Sequence, residues 1–441
     1  MSFIAAYDAV PDTEPTARVA LLRRHLTGDR AAVFSELRAL RPVFATPAGV
    51  FVTRYPDVLE VLQLPEVFTV GAHRPSLEAV LGSPFMLSRD GADVHWQERG
   101  FAQTVLRPAD APRVRELAAR LGAAALDEVL AGARQRGEST IDLIQGYSAP
   151  VAARLAVEYL GFTGIDPMVL HDLSRRMQWA ALVNPGQDPK VHADGVAAGK
   201  ELHDLVAEVI ARRRASGDRT DDVLGRMLRD APVDAGFDDE RVNANLVGFL
   251  IGSQQNYSQC VATALKELAL QPGVLAEAER AAGEPDPAAF DGYVQEALRF
   301  HPYVPSTVRL SVRDHVLAAG TPRETVLPAG SVVHACLASA MFDEEVVADP
   351  GRFRVGRPAE HHLLLSRGAH DCVGRYSAEV ALPELVRQVL LRPGLRPLPG
   401  RERDMDYAGT PYPQHYPVST GPADPAEPAD PAGSTGPTVR S

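Results

Sequence analysis

From Asp238 to Leu270 the chain reads as one long helix that no proline interrupts, and its centre is the apolar run "LVGFLIG". A helix with such a centre has to be packed on most of its sides, which calls for further helices around it. Apolar periodicity supplies them near 110–134, 146–160, 165–181 and 190–214, and in "PAAFDGYVQEALRF". "DRAAVFSELRAL" adds one more, with Val33, Phe34, Leu37 and Leu40 at helical spacing. Strand signals are fewer. "PVFATPAGVFVTRY" predicts a hairpin turning at Pro47, Ala48 and Gly49, and the β-branched, turn-punctuated stretch after Pro305 predicts short strands. "VGRYSAEVALPELVRQVLL" returns to helix, with a kink expected at Pro383. The expected fold class is mostly α with a minor β region. No linker breaks the chain before the tail 421–441, so residues 1–420 are expected to form a single domain. The tail is rich in Pro, Ala, Asp and Gly and is expected to be disordered.

Charge excludes some functions. The formal net charge is -12 and no run of Lys and Arg opposes it, so neither nucleic acid nor an acidic membrane is an expected partner. The N-terminus has no basic region followed by an apolar run, and no stretch approaches the ~20 apolar residues of a membrane span. Cys260, Cys336 and Cys372 are too few and too scattered for a disulfide framework, which suits a reducing, cytoplasmic location.

Cys372 lies in "LLLSRGAHDCVGRYSAEVAL", two places after His370 and at the start of a helix. A free cysteine is most often a small buried hydrophobe. Zinc is a second reading, because His361, His362 and His370 are near, but no second Cys/His pair completes such a site. The third reading is a thiolate ligand. A helix start offers donors and positive potential, and Gly368 and Gly374 let the backbone pass close to a flat group. A thiolate on haem iron favours O–O cleavage.

The segment resembles the haem-binding loop of cytochromes P450, Phe-x-x-Gly-x-x-x-Cys-x-Gly with a basic residue two before the cysteine. Gly368, His370, Cys372 and Gly374 match; Leu365 replaces the phenylalanine, and Asp371 beside the ligand is unusual. The resemblance implies the P450 fold, a triangular-prism α-helical domain with small β-sheets. Haem b would lie between the long helix and the cysteine-loop helix, with Cys372 as the axial iron ligand. Glu296 and Arg299, otherwise a common surface ion pair, would be the family's buried Glu-x-x-Arg. Its third member falls in "DPGRFRVGRP", where Arg352 or Arg357 can serve and Arg357 is favoured. His95 and Arg99 match the family's His-x-x-x-Arg, and Arg309 falls on the strand where the family carries an arginine. With His370 they are the cationic candidates for the haem propionates.

On the oxygen side most of the family reads Ala-Gly-x-Asp/Glu-Thr, an acid and an alcohol that relay protons. Here the chain reads "FLIGSQQNYSQ". Counted from Gly252 as the glycine, Gln254 takes the acid's place and Gln255 the alcohol's. An amide hydrogen-bonds but does not ionise near neutral pH. Waters held by the amides, with Ser253 or Asn256, would then assist O–O cleavage. A subgroup that demethylates methoxyarenes carries a Gln-Glu pair here, so Gln254 hints at O-demethylation.

The expected function is a haem-thiolate monooxygenase that hydroxylates or O-demethylates a small apolar organic molecule. Its electrons would come from a separate ferredoxin and ferredoxin reductase docking near Arg107, Arg113, Arg367 and Arg375. The alternatives are an H2O2-dependent peroxygenase or a non-oxygenating P450 (coupling, dehydration, isomerisation) of secondary metabolism. From another class comes a non-catalytic P450-like partner protein, which the presence of Cys372 disfavours. The expected pocket wall includes Phe85, Met86 and Leu87, with Val247 and Ile251 from the long helix and Val308 from the first strand. A monomer is expected.

Overall fold

Asp238 starts the long helix: its carboxylate accepts from the Arg241 amide at 3.0 Å. Asp239 and Glu240 occupy the first turn and Lys266 the last, the charge order the helix dipole favours. In the computed structural model, which describes residues 2–184, 188–232 and 236–421, this helix spans Asp239–Ala269. It packs against Ala149–Leu160, Pro167–Leu182, Pro189–Ser216, Ala288–Phe300 and Arg375–Leu390. Ala111–Arg136 packs against the last of these from outside. The largest apolar core forms around the long helix, as its own sequence requires. Pro383 lies inside Arg375–Leu390, which runs on past it.

The strands form a smaller flank. Val43–Thr46 and Gly49–Val52 make the expected hairpin, Val43 facing Val52 and Thr46 facing Gly49. Gly49–Val52 pairs parallel with Val332–Ala335, which pairs antiparallel with Thr307–Ser311, and Phe68–Thr69 closes that sheet. Three strands around Pro417–Ser419 and a hairpin of His315–Leu317 with Thr325–Leu327 complete the β content. No described helix is long and apolar enough to cross a membrane. Beyond Gly421 the tail lies outside the described residues.

One ion-pair cluster ties the helices to the irregular chain before the cysteine loop. Arg299 grips Glu296 with two hydrogen bonds of 2.8 Å and also donates to the carbonyls of Met341 and Pro350. Arg357, not Arg352, is the third member: its Nε donates to Glu296 Oε1 at 2.9 Å. Its other nitrogens hold the carbonyls of Ala348, Asp349 and Arg352. All three side chains are buried. Burial pushes the Glu296 carboxyl up, but the two arginines outweigh it and leave it below its ordinary value. A carboxylate so held adds stability above its unfolded value, near pH 4.5, and loses it as pH falls through the folded value. Glu296→Ala is expected to cost about 3–5 kcal/mol, the usual result of stranding a buried charge. Urea unfolding at pH 7 measures it, and the deficit should shrink as the pH is lowered towards 4.

Candidate active site

The cysteine loop is folded by its own backbone. The Cys372 amide donates to Leu365 O at 2.9 Å and the Asp371 amide to Gly368 O at 3.1 Å. Gly368 has φ +82°, and a Cβ there would lie 2.1 Å from Leu62 O, so only glycine lets the loop pack on the helix Tyr55–Gln63 and its end. Cys372 then precedes the helix Arg375–Leu390 and opens onto a cavity. Its depth in the protein pushes the thiol up, against the opposing pull of the Gly374 amide and the Arg375 guanidinium. A thiolate there persists when a metal ion shares its charge.

Asp371 does not face the thiol uncompensated. Its carboxylate pairs with Arg99, which also donates to Asp371 O at 2.7 Å, and Arg375 lies 3.6 Å away. Arg99, expected on a propionate, here holds the cysteine loop and also lines the cavity. His95 is placed similarly, its two ring nitrogens lying 2.8 Å from Met86 O and 3.0 Å from Ala369 O. Both residues of the His-x-x-x-Arg pair brace the loop from the helix Gln97–Val105 and the turn before it.

The cavity, about 580 Å³, lies between this loop and the long helix. Phe249, Gly252, Ser253, Asn256, Tyr257 and Cys260 line it, one face at helical spacing. A Cβ built on Gly252 would meet nothing within 4 Å. Gln254 and Gln255, expected over the cavity, are buried on another face. Gln254 Nε2 reaches Ser174 Oγ of Pro167–Leu182 at 3.3 Å. The physical reason is phase: one residue turns a helix by about 100°. With Gly252 in the family alanine's place and Ser253 in the glycine's, Gln255 falls on the acid and Asn256 on the alcohol. The same phase corrects the pocket wall. Phe85, Met86 and Leu87 line the cavity, but Val247 and Ile251 are core residues and Val308 pairs with His334 in the sheet. Gly248 and Phe249 take the place expected for Val247 and Ile251.

The cation side fits a dianionic flat group. Arg309 is buried with only Thr307 Oγ1 and Val308 O as hydrogen-bond acceptors, and among the described residues no carboxylate pairs with it. Burial pulls it down to about 10. The His370 side chain is 5% exposed, with Nε2 on Asp90 at 3.0 Å and a buried Nδ1 that has no partner among the described residues. A buried arginine without a carboxylate partner and an orphaned imidazole nitrogen, beside an apolar slot onto which the Cys372 loop opens, are what haem with two carboxylates would satisfy. Elsewhere, Arg107 and Arg113 both turn to Asp221, and Arg367 donates to Ala359 O at 2.8 Å. Sequence reasoning missed Gln178 and Tyr303, which also line the cavity; each lies far along the chain from the motifs, so no local spacing marks it.

Fold, cysteine and cation set together fit what a haem-thiolate oxidoreductase would need. Residues 289–410 match the family model "Cytochrome P450". The chain is 31% identical over 276 residues to cyclomarin C epoxidase CymV of Salinispora arenicola (strain CNS-205), covering 62% of this chain and 63% of that protein. To a steroid C26-monooxygenase of Mycobacterium tuberculosis (strain ATCC 25618 / H37Rv) it is 28% identical over 377 residues, 83% and 86% of the two chains. The solved structure of CalO2 overlays with a TM-score of 0.76 at 23% identity, covering 90% of this chain and 98% of that one, a likeness of fold. The chain belongs to the cytochrome P450 superfamily, and it is an enzyme of that family.

Gly368→Ala should strain the loop by at least ~1–2 kcal/mol for the left-handed backbone alone, with the clash on Leu62 O added. We expect reduced haem content per protein at equal expression, read as the ratio of Soret to protein absorbance, and a lower thermal midpoint.

Proposed function

We propose that the chain is a monooxygenase that hydroxylates or O-demethylates a small apolar organic substrate, with residues 1–420 acting as one haem domain. The observation that carries this is a single cavity in which Cys372 and the half-buried, polar face of the long helix confront each other. Haem b would be held by Cys372 at the iron and by Arg309 and His370 at the propionates, with Gly374 admitting the flat group beside the thiol. His95 and Arg99 would act through the loop they brace. Bound there, the haem supplies activation of O2 or H2O2 and transfer of one oxygen atom to the substrate.

The chain's own residues do the rest. Phe85, Met86, Leu106, Leu155 and Phe249 give the cavity apolar walls that exclude water and favour an apolar ligand. The cavity must hold both cofactor and substrate, which keeps the substrate small unless it reaches past the exposed rim residues Leu87, Leu182 and Val304. Asn256 stands in for the relay alcohol as a hydrogen-bond donor, and Ser253 Oγ beside it can hold a water. Neither ionises, so protons have to arrive with water or with peroxide. With the register moved by one, the glutamine in the acid's place is Gln255, so the likeness to methoxyarene demethylases passes from Gln254 to Gln255, with Asn256 where they carry glutamate. A ferredoxin with its reductase, or H2O2, is the proposed source of electrons and oxygen.

The reduced, CO-treated absorption spectrum tests the thiolate: the strongly red-shifted Soret band of the family is expected, and its absence would sink the reading. With substrates found by a spin-shift screen, NADH-driven turnover through surrogate redox proteins should be compared with turnover on H2O2. We expect measurable peroxide activity. Asn256→Ala should lower product formed per NADH at least tenfold, in line with the ~100-fold or more that loss of one oriented donor can cost. Gln255→Met should change that ratio less than twofold.

A further inference from the structure

Three side chains that reach the cavity from three separate elements are joined in one hydrogen-bond chain. The Tyr303 hydroxyl, just beyond Ala288–Phe300, donates to Gln178 Oε1 at 2.7 Å. Gln178, on Pro167–Leu182, donates from Nε2 to Ile251 O at 3.2 Å and to Asn256 Oδ1 at 2.8 Å. Asn256 Nδ2 donates to Gly252 O at 2.8 Å.

An amide can be turned end for end with little change of shape, so the direction of such a chain needs anchors. Here the carbonyls of Ile251 and Gly252 are the anchors, because a carbonyl only accepts. Turning Asn256 alone would set its NH2 against Gln178 Nε2 and its oxygen against Gly252 O. Turning both amides would set both oxygens against backbone carbonyls. One arrangement survives. In it Gln178 has spent both N–H groups, whereas Asn256 keeps one N–H over. Gln178 is 2% exposed and fully satisfied, while Asn256 is half-buried and lines the cavity. Gln254, nearby on the same helix, shows the contrast: its Oε1 is buried without a partner among the described residues.

We propose that Gln178, backed by Tyr303, is a positioning residue that fixes the Asn256 amide with its nitrogen towards the cavity. The site thereby keeps one oriented, non-ionising donor for the oxygen end of a diatomic ligand at the haem. This rests on the reading of Asn256 as the residue in the alcohol's place. The two helices that make the bond are packed on each other, so the donor's aim depends on how Pro167–Leu182 sits on the long helix.

The test uses the ferrous–CO holoenzyme, with CO as the diatomic probe and 15N-asparagine labelling; the chain has four asparagines, Asn184, Asn243, Asn245 and Asn256. In the parent, the Asn256 side chain should give two resolved amide proton resonances and the bound CO one narrow stretching band. In Gln178→Leu the two resonances should collapse or broaden, and the CO band should shift to higher frequency or split. Product per NADH should fall roughly tenfold, short of the ~100-fold that misplacing a reacting group can cost. Tyr303→Phe, which removes only the outer link, should move the same signals by less. It carries the test alone if Gln178→Leu does not accumulate as holoprotein. Unchanged resonances, CO band and coupling in these variants would overturn the proposal. If Asn256→Ala itself leaves the CO band and coupling unchanged, the reading of Asn256 has failed, and the positioning role with it. If Asn256→Ala shifts them and Gln178→Leu does not, only the positioning role has failed.

Discussion

Most of this structure follows from the phase of the helix Asp239–Ala269. Being central, it buries most of the residues it carries, including polar ones such as Gln254, Gln255 and Ser258. Those polar groups cost free energy unless they find partners in neighbouring segments; Ser174 meets Gln254 and Ser148 meets Ser258. What remains is one narrow stripe, Gly252, Ser253, Asn256 and Tyr257, that looks into the cavity. Because Gly252 carries no side chain, the helix passes the cavity without filling it.

The cysteine loop solves a different problem, that of a ligand thiol with a carboxylate beside it. Asp371 would oppose a thiolate, and the chain offsets it with Arg99 from one side and Arg375 from the other. That arrangement ties Arg99 to the loop at the cavity's edge, while among the described residues Arg309 has no carboxylate partner and the buried Nδ1 of His370 has no partner.

Some of the site was legible because its information is local. Glu296 and Arg299 are three residues apart, and Gly368, Cys372 and Gly374 share one loop, so spacing alone carries their geometry. The hairpin at Val43–Val52 was legible for the same reason. Arg357 was harder, because Arg352 is equally close in sequence and only the path of the chain after Pro350 decides which one turns inward. The glutamines were misread by one residue. A motif counted from the nearest glycine ignores which side of the helix the neighbours cover, and Val247 and Ile251 were misplaced with them. Gln178 and Tyr303 were out of reach, since their bonds to the site span 78 and 125 residues.

The sequence by itself determined a mostly helical protein around one buried helix, a single candidate thiolate at Cys372 and the ion pair behind it. These depend on periodicity and short spacings, which survive without knowledge of packing. Only the tertiary structure decided which polar residue meets the cavity and in which direction its amide points. Those outcomes depend on the rotation of one helix against others and on backbone carbonyls that face it from outside its own segment. A chain read residue by residue contains no measure of either.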